Sequence, residues 1–419
     1  MQLKDIFASR AMRMKASEIR ELLKLLDQPG ILSFAGGIPD PDLFPAEAFA
    51  EAFQGALSGG QQAQSLQYSV SEGYLPLKEW IVGQMARMGV DCDPDNILIT
   101  SGSQQGLDYL GKLFLSPGDT ALVTAPTYLG ALAAFNAYEP RYDQLNLSGN
   151  RTAQSYRDGA AQNGGAVKFA YLSADFANPT GETVAQADRE RLLDLAEDLQ
   201  CAIVEDGAYQ DLRYDGDPVP PILALEQAKK GTLDNCRTIY CGTFSKTLSP
   251  GLRVGWIVAA RPVIAQMVLI KQAADLHSPT LNQMAVNTVA RQQFDSHVEK
   301  VRAAYKARRD AMLRALKQHM PPGVDWTRPE GGMFIWITLP AGLDGALLLA
   351  RSLDSVKVAF VPGQAFFADG GGPNTIRLSY SVLDEAAIEE GIARLARLIA
   401  ETLAEQDAVS PRQVSAEVV

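Results

Sequence analysis

A lysine, two hydroxyl side chains and an arginine lie close together in the segment CGTFSKTLSPGLRVG. Lys246 follows Thr243 and Ser245, and Arg253 comes seven residues after the lysine. A lysine amine can form an imine with an aldehyde, and hydroxyl groups with a guanidinium can hold a phosphate. The segment therefore suits an aldehyde that carries a phosphate, and pyridoxal 5′-phosphate (PLP) is such a molecule. The alternative is a loop with solvated cations, since single lysines and arginines are common on surfaces.

A second pair of polar residues follows the apolar run CAIVE. Asp206 and Tyr209 come after this strand-like run, and open α/β sheets bind ligands at the carboxyl ends of their strands. An aspartate there can keep a pyridine nitrogen protonated and so strengthen the ring as an electron sink. Tyr209 can hydrogen-bond the phenolic oxygen of the same ring. Taken alone, Asp206 could equally be the N-cap of a helix.

The segment TSGSQQGLDYL combines a turn with the start of a helix, directly after the strand-like run NILIT. Gly102 provides the turn, and Ser103 and Gln104 present backbone N–H groups at the first helical positions. A helix N-terminus of this kind binds anions readily, so it could share a phosphate with Arg253. The motif is weak on its own because many strand-to-helix turns look alike.

Two further positions follow predicted strands. Asn178, in ANPTG after the run KFAYL, could donate from its amide to the phenolic oxygen of the cofactor. Asn-Pro is also an ordinary start of a turn. Tyr128, in APTYLG after the run TALVT, can stack on the pyridine ring or simply pack at the start of a helix.

Arg377 lies in the strand-like run NTIRLSY, between the apolar residues Ile376 and Leu378. Because side chains alternate along a strand, its guanidinium should lie on the face opposite these two. An arginine aimed between two domains can bind a substrate carboxylate through two parallel hydrogen bonds. The alternative is an exposed arginine on a strand.

Short apolar runs alternate with helical patterns between about residues 96 and 258, which is typical of βαβ units and a mainly parallel sheet. The predicted strands are residues 96–100, 120–124, 168–172, 201–205, 237–241 and 253–259. QADRERLLDLAEDL predicts one of the connecting helices. After Pro329, the runs GGMFIWITL, KVAFV and NTIRLSY predict strands of a second, α+β unit, and DEAAIEEGIARLARLIAETLAEQ predicts a final helix.

The composition excludes several classes of protein. The chain has 419 residues, of which 47% are hydrophobic and 21% charged, as in a folded globular protein. A net charge of −11 argues against attraction to nucleic acid or to anionic membranes. No apolar run reaches about 18 residues and no signal peptide is apparent, so we expect a cytoplasmic protein. The three histidines lack metal-ligand spacing, so neither a histidine metal site nor a Ser-His-Asp hydrolase is expected.

These motifs, in this order, resemble the fold-type I PLP-dependent aminotransferases of class I/II, from the amino-terminal helix to about Leu403. Within the class, ELLKLLDQPGILSFAGGIPDPDLFP, LQYSVSEGYLPLK and RPEGGMFIW resemble the 2-aminoadipate/kynurenine aminotransferase group. The resemblance implies an α/β fold with a large PLP-binding domain, whose mainly parallel mixed sheet is flanked by helices, and a smaller α+β domain built from both termini. The implied boundaries are 1–45 for the N-terminal helix and arm, 46–320 for the large domain and 321–419 for the small domain. It also implies a homodimer with its sites at the interface.

The resemblance also gives roles to the cofactor-site residues. Lys246 is implied to be the Schiff-base lysine and proton shuttle, and Asp206 the partner of the pyridine nitrogen. Asn178 and Tyr209 are implied to hydrogen-bond the phenolic oxygen. The residues implied for the phosphate are Ser103, Gln104, Thr243, Ser245 and Arg253, together with Tyr68 reaching in from the other subunit.

Substrate recognition is implied at Arg377, which would bind the α-carboxylate with help from Asn178 and from the backbone at Gly37. In the aminoadipate-type enzymes, the N-terminal helix carries an arginine that meets the distal carboxylate, and Arg20 has that place here. Arg20 could instead make surface pairs along its helix, although Lys24 would repel it. The implied reaction moves the amino group of an L-amino acid, such as 2-aminoadipate, glutamate, or an aromatic or aliphatic one, to a 2-oxo acid such as 2-oxoglutarate.

Two other functions could use the same fold. A PLP-dependent β-lyase or decarboxylase would need the same lysine, aspartate and arginine, because the outcome depends on which substrate bond stands perpendicular to the ring. Aminotransferase-like effector modules of bacterial transcription regulators follow a DNA-binding domain. Only about forty residues precede the expected first helix of the fold at Ala46, and the acidic charge offers no footprint for DNA, so we do not expect a regulator.

Overall fold

The computed structural model describes residues 3–14 and 30–409 of the chain. Thirteen strands lie within these ranges and are numbered β1 to β13 in chain order. They are Leu32–Ser33, Ile97–Thr100, Thr120–Val123, Arg141–Gln144, Val167–Leu172, Ala202–Asp206, Thr238–Thr243, Gly255–Val258, Asp325–Trp326, Phe334–Thr338, Val358–Ala359, Val361–Pro362 and Thr375–Ser379.

The same ranges contain thirteen α-helices, numbered α1 to α13. They are Ser9–Arg13, Ala46–Ala56, Gln62–Leu66, Leu75–Arg87, Ser103–Phe114, Leu129–Asn136, Ala153–Gln162, Gln186–Leu199, Ile222–Lys230, Arg261–Ala274, Thr280–His319, Gly345–Ser355 and Glu385–Val409. Short 3-10 helices occur at Leu3–Ile6, Pro41–Leu43, Pro94–Asn96, Leu233–Asn235 and Gly363–Phe366. None of the helices in the described ranges is both long and apolar enough to span a bilayer.

Seven strands form one mixed sheet in the order β2-β8-β7-β6-β5-β3-β4. β8 is antiparallel to both of its neighbours, and the other pairs are parallel. Apart from β4, nearly all of the strand residues are buried, as expected when helices cover both faces of a sheet. The predicted α/β class with a mainly parallel mixed sheet is confirmed.

All six strands predicted for this sheet are present, and each predicted end lies within two residues of the observed one. The helix predicted from QADRERLLDLAEDL is α8, with the same bounds, and its leucines pack against the sheet. The sequence analysis missed β4, because its residues RYDQ are polar. β4 is the edge strand of the sheet and none of its residues is buried, so no apolar run marks it.

A second sheet has the antiparallel order β12-β13-β10-β9, and β1 pairs separately with β11 in parallel. The run KVAFV, predicted as one strand, is two. Buried Phe360 separates β11 from β12, and these two short strands belong to different sheets. The predicted final helix is α13, which continues to Val409, three residues beyond the predicted pattern.

One long helix joins the cores of the two sheets. α11 runs over Thr280–His319 with a kink at Gln293. Near its start, residues such as Val286 and Val289 pack into the apolar cluster beside the large sheet. Towards its end, residues such as Met312 pack into the cluster around the smaller sheet. Since each fully buried aliphatic side chain contributes about 2 kcal/mol, α11 fixes the two sheets relative to each other.

Candidate active site

Strand direction brings the candidate residues to one edge of the large sheet. β5, β6 and β7 are parallel, so Asn178 after β5, Asp206 at the end of β6 and Lys246 after β7 lie at the same edge. β8 runs the opposite way and begins there, which puts Arg253 just before it at this edge. β2 is antiparallel to β8, so the turn at Gly102 also joins the edge. The topology therefore collects residues that are far apart in the sequence.

Lys246 has an environment that favours its neutral amine. Its Nζ donates to the carbonyl oxygen of Gly37 at 3.1 Å and lies 5.7 Å from the centre of the Tyr209 ring. Burial lowers the pKa of Lys246 to about 8, and repulsion from Arg377 and Arg253 acts in the same direction. A neutral amine is both a nucleophile and a base, so this site increases the reactive fraction near neutral pH.

Asp206 is buried at the end of β6, and only one of its two carboxylate oxygens has a partner. The hydroxyl of Tyr171 donates to Oδ2 at 2.8 Å, whereas Oδ1 is buried without a hydrogen bond in the described structure. Burial raises the pKa of Asp206 to about 6, opposed by the hydrogen bond from Tyr171, by the backbone of Ala208 and by Lys246. Leaving a buried acceptor unpaired costs about 1–3 kcal/mol, so Oδ1 is suited to a donor from a ligand.

A chain of hydrogen bonds runs from Arg377 to Tyr209. Arg377 donates from Nη1 to Asn178 Oδ1 and from Nη2 to the carbonyl oxygen of Ala35, both at 2.8 Å. Because the amide oxygen of Asn178 accepts from Arg377, its Nδ2 faces the Tyr209 hydroxyl at 3.4 Å. Burial raises the pKa of Tyr209, so this hydroxyl stays protonated and can donate. Two donors, the amide and the phenol, therefore lie side by side near Lys246.

Arg377 is a buried cation, and none of the carboxylates in the described part of the chain pairs with it. Only 1% of its surface is exposed, and its guanidinium carbon lies 4.3 Å and 5.1 Å from the ring centres of Phe334 and Phe366. Its Nε is buried without a partner, and no ion pair is formed with any described residue. Burial lowers its pKa to about 10. The alternative of an exposed arginine on a strand is therefore wrong, and the environment suits a bound anion.

Arg253 lies against the turn that precedes α5. Together the guanidinium and the helix N-terminus form a site of positive potential, which we call the anion corner. Gly102 is the N-cap of α5 with φ +78°, and it provides no side-chain cap. A Cβ at Gly102 would meet Nη2 of Arg253, so the guanidinium lies directly against this turn. Arg253 also donates to the carbonyl oxygen of Ser101 at 3.4 Å. A guanidinium and a helix N-terminus thus meet at one place, as an anion site requires.

The remaining predicted side chains support this corner. Thr243, the last residue of β7, and Ser245, just after it, are both buried, and the Thr243 hydroxyl donates to the Ser245 hydroxyl at 2.9 Å. Gln104 donates from Nε2 to the carbonyl oxygen of Gly130 at 2.7 Å. The hydroxyl of Tyr128 lies 3.4 Å from Gln104 Oε1, and Tyr128 is also the N-cap of α6. Tyr128 therefore lies at a helix start and beside the anion corner.

Three predicted residues differ in their placement. Gly37 lies with the group, since a Cβ there would be 3.1 Å from Phe334 and 3.5 Å from Arg377 Nη2. Tyr68 is 79% exposed, and its ring meets the edge of His277 at 6.0 Å rather than the Lys246 group of the same protomer. Arg20 lies outside the described residues.

The sequence analysis missed three neighbours of the site. Tyr171 carries the one hydroxyl in the buried strand VKFAYL, and that isolated polar group was the available signal. Phe334 and Phe366 flank the guanidinium of Arg377, but they occur in apolar runs that look like ordinary core. No local pattern distinguishes a ring that covers a cation from a ring that fills a core.

The groups left open in this site match PLP. The unpaired Asp206 Oδ1 suits the N–H of a pyridinium ring, and the donors of Asn178 and Tyr209 suit a phenolate. The corner at Gly102 and Arg253 suits a phosphate. The residues present therefore fit the cofactor that the sequence predicts.

The family model for aminotransferase class I and II matches residues 31–395 of this chain. The chain belongs to this family. This aminotransferase is 44% identical to 2-aminoadipate transaminase of Thermus thermophilus, over 96% of this chain and 98% of that one. It is 43% identical to aromatic-amino-acid aminotransferase 1 of Thermococcus litoralis, over 95% of this chain and 94% of that one.

Solved structures show the same fold. The α-aminoadipate aminotransferase LysN from Thermus thermophilus, complexed with N-(5′-phosphopyridoxyl)-L-leucine, is 41% identical to this aminotransferase. It superimposes with a TM-score of 0.86, over 97% of this chain and 100% of that one. The predicted family, the fold-type I architecture, the PLP cofactor and the transaminase class are confirmed. The alternative of a β-lyase, decarboxylase or effector module is not favoured.

Proposed function

We propose that this aminotransferase takes amino groups from 2-aminoadipate- or glutamate-like donors, and from aromatic or aliphatic ones, and transfers them to a 2-oxo acid such as 2-oxoglutarate. The names of the relatives support these donor classes. The observation that carries the proposal is the buried guanidinium of Arg377, which lies near Lys246 and has no carboxylate partner among the described residues. Every amino acid and 2-oxo acid presents an α-carboxylate, and a guanidinium can bind it with two hydrogen bonds.

Lys246 is the proposed base of the reaction. PLP, when bound, supplies an aldehyde that links to amines and a ring that withdraws electrons from the substrate. The amine of Lys246, freed by the incoming amino group, would take the proton from the substrate α-carbon and deliver it to C4′, the former aldehyde carbon. Its lowered pKa of about 8 makes the neutral amine available for this step.

Asp206, Tyr209 and Asn178 are proposed to hold the ring. The charged carboxylate of Asp206 would keep the ring nitrogen protonated, and its unpaired Oδ1 is the atom available for that contact. The donors of Tyr209 and Asn178 would bind the phenolic oxygen, and Tyr128 would stack on the ring. Because these groups are held by strand ends and by each other, the ring orientation would be fixed before the substrate arrives.

The proposed phosphate site combines Ser103, Gln104, Thr243, Ser245 and Arg253. Its support is the meeting of the α5 N-terminus with the Arg253 guanidinium around Gly102. Arg377, with Asn178 and the backbone at Gly37, is proposed to bind the α-carboxylate. The place of Arg20 at the distal carboxylate of the substrate stays a prediction of the sequence, as does a cytoplasmic location.

We propose a homodimer in which Tyr68 reaches the phosphate of the other subunit. Leu66, Tyr68, Val70 and Leu75 are large apolar residues that are each more than half exposed, and they lie within ten residues of one another. Exposed apolar side chains grouped in one short segment are typical of an interface. The three-part division at residues 45 and 320 is also proposed, and the pairing of β1 with β11 supports joining the N-terminal arm to the small domain.

The function is tested by absorbance spectra of the purified protein with L-2-aminoadipate, glutamate, leucine and kynurenine added separately. We expect the visible band of the lysine-bound cofactor to disappear with each good donor, with one 2-oxo acid formed per site. The order of the donors then gives the substrate class. One ammonia formed per cofactor converted would instead identify a lyase, and one carbon dioxide a decarboxylase.

The dimer is tested by mixing two variants, Tyr68→Ala and Lys246→Ala. If Tyr68 acts in the other subunit, a mixed dimer has one intact site, and random exchange restores about a quarter of the wild-type activity. A mixture no more active than the Tyr68→Ala protein alone would contradict the shared site. Light scattering gives the mass of each protein as a control.

A further inference from the structure

Behind the proposed phosphate-binding turn lies a group of polar side chains that the reaction chemistry does not use. We name it the Lys271 cluster, and its members are Ser101, Gln105, Lys271, Asp275 and Ser278. Lys271 lies on α10 and is fully buried. Its ammonium donates to Gln105 Oε1, to both oxygens of Asp275 and to Ser278 Oγ, at 3.0–3.1 Å.

The cluster holds the chain where it enters the turn. The backbone N–H of Ser101 donates to Gln105 Oε1 at 2.9 Å, so this oxygen accepts both from the turn and from Lys271. Gln105 is held in place from its other end, because its Nε2 donates to Asp275 Oδ2 at 2.8 Å. The Ser101 hydroxyl also lies 3.2 Å from the Ser278 hydroxyl. Moving Lys271 would therefore move the turn through two shared atoms, Gln105 Oε1 and Ser278 Oγ.

The same turn meets the proposed phosphate residues on its other side. The carbonyl oxygen of Ser101 accepts from Arg253, and the guanidinium lies directly against Gly102. A Cβ at Gly255, the first residue of β8, would lie 2.6 Å from the backbone nitrogen of Ser103. The turn is thus confined by Arg253 and β8 on one side and by the Lys271 cluster on the other.

The charges in the cluster are balanced, unlike the charge of Arg377. The ammonium of Lys271 has four acceptor atoms, including both oxygens of a carboxylate whose side chain is 31% exposed. The Tyr109 hydroxyl adds a further donor to Asp275 at 3.3 Å. A satisfied buried network of this kind fixes geometry and offers no open group to a ligand.

We propose that Lys271 is a positioning residue for the cofactor phosphate. It holds Ser101 and Gln105 in place, so that the backbone N–H groups of Ser103 and Gln104 stay directed at the phosphate. Lys271 does not touch the phosphate itself. The inference rests on the proposed phosphate site at the start of α5.

The test compares PLP with pyridoxal, which has the same ring and aldehyde but no phosphate. The dissociation constants of both are measured by fluorescence titration of the full chain after removal of its cofactor, for the wild type and for Lys271→Met. We expect the constant for PLP to rise about tenfold, as for the loss of a hydrogen bond to a charged group, while that for pyridoxal changes less than about twofold. Lys78→Met is the matched control, because Lys78 is also a buried lysine but lies on α4.

Two milder variants keep the test open if Lys271→Met does not fold. Asp275→Asn and Ser278→Ala leave the lysine in place and remove one of its partners, so each should give a smaller loss with the same preference for PLP. An equal loss for PLP and pyridoxal, or no loss for PLP, would overturn the positioning role.

Arg253→Met separates this inference from the phosphate assignment on which it rests. If Arg253→Met weakens PLP selectively and the cluster variants do not, the positioning role is wrong while the phosphate site stands. If Arg253→Met shows no selectivity either, the phosphate site is wrong and the positioning role fails with it.

Discussion

The two faces of β6 carry neighbouring buried carboxylates in opposite circumstances. Glu205 accepts from the backbone N–H groups of Ile222 and Leu223 at 2.8 Å and 3.1 Å, so both of its oxygens are used at the start of α9. Asp206, the next residue, points to the other face and has one oxygen unpaired. Burial raises the pKa of both, to about 7 for Glu205 and about 6 for Asp206.

The arginines near these carboxylates repeat the contrast. Arg189 is fully buried, pairs with Asp175 at 3.0 Å, lies 3.9 Å from Glu205, and donates to three backbone carbonyl oxygens. Arg377 is equally buried but has no carboxylate partner among the described residues. Burial alone therefore does not mark a functional group. An unfilled hydrogen-bonding position or an unbalanced charge does.

The largest effect is expected for Lys246→Ala, which removes the proposed base of the reaction. We expect turnover to fall about 10⁴-fold or more, because no described group nearby can both link to the aldehyde and carry the α-proton. Stopped-flow absorbance measures this, and circular dichroism checks that the fold is kept. Lys230→Ala, which removes a lysine from a surface ion pair with Glu197, is the control. A variant that still turned over at a tenth of the wild-type rate would remove Lys246 from its role.

The two carboxylates are compared through Asp206→Asn and Glu205→Gln. Asp206→Asn should lower kcat about a thousandfold without loss of stability, because it removes only the charge facing the ring. Glu205→Gln should leave kcat of the folded enzyme unchanged and cost about 2–3 kcal/mol of unfolding free energy, since an amide nitrogen would face a backbone N–H. Urea unfolding and kcat are measured for both variants. A loss of kcat in Glu205→Gln with a loss of stability in Asp206→Asn would show that the roles of the two faces of β6 are assigned wrongly.

Asp206 should also make the free energy of unfolding depend on pH in the protein without cofactor. The folded-state pKa of Asp206 is raised, so its protonated form contributes stability below about pH 4, and this contribution is lost as the pH rises through about 6. Between about pH 4 and pH 6, the free energy of unfolding of Asp206→Asn should rise relative to that of the wild type by up to about 3 kcal/mol. The asparagine never carries the buried negative charge that destabilises the wild type. Urea unfolding of both proteins at several pH values checks this. A difference in unfolding free energy that does not change with pH would mean that Asp206 is not desolvated.

The two arginines are compared through Arg377→Met and Arg189→Met. Arg377→Met should lower kcat/KM for amino acids about a hundredfold, mainly through KM, and leave the free energy of unfolding within about 1 kcal/mol. Arg189→Met should destabilise the fold by about 3–5 kcal/mol, because it leaves buried carboxylates without their cation. A stability loss of similar size in both variants would mean that Arg377 is structural.

The smallest effect is expected for Tyr171→Phe, which removes the bond to Asp206 Oδ2. Since that bond lowers the carboxyl pKa, its loss should raise the pKa further and lower kcat a few-fold, more at low pH than at high pH. The pH profile of kcat and the absorbance of the bound cofactor measure this. An unchanged profile would show that Tyr171 only fills space. Tyr156→Phe, which removes a buried hydroxyl on another element, is the control.

The sequence predicted the strands of the large sheet well because each is an apolar run between turns. It failed where a structural property depends on neighbours that are distant in the sequence. The edge strand β4 needs no apolar residues, and Phe360 divides one apolar run between two sheets. Both outcomes are decided by tertiary pairing, which periodicity does not record.

The candidate site shows the same limit. Residue types and strand ends indicated Lys246, Asp206 and Arg377, because the chemistry of PLP needs an amine, a carboxylate and cations. The local sequence does not show that Glu205 accepts from the N-terminus of α9, or that Asp206 has a carboxylate oxygen without a partner. The partner of Asp206, Tyr171, comes from a different strand, so only the sheet order brings the two together.

The pairing of β1 with β11 has a consequence for how the enzyme is made. Leu32 pairs with Val358, and the backbone N–H of Ser379 donates to the carbonyl oxygen of Phe34, so the arm that carries Gly37 docks on the last part of the chain. On a growing polypeptide the large sheet and its lysine are synthesised long before that docking surface exists. Contacts of such long range form late, since closing the loop between them is slow. The nascent protein therefore acquires its lysine early, and its proposed carboxylate-binding residues come together only when synthesis is nearly complete.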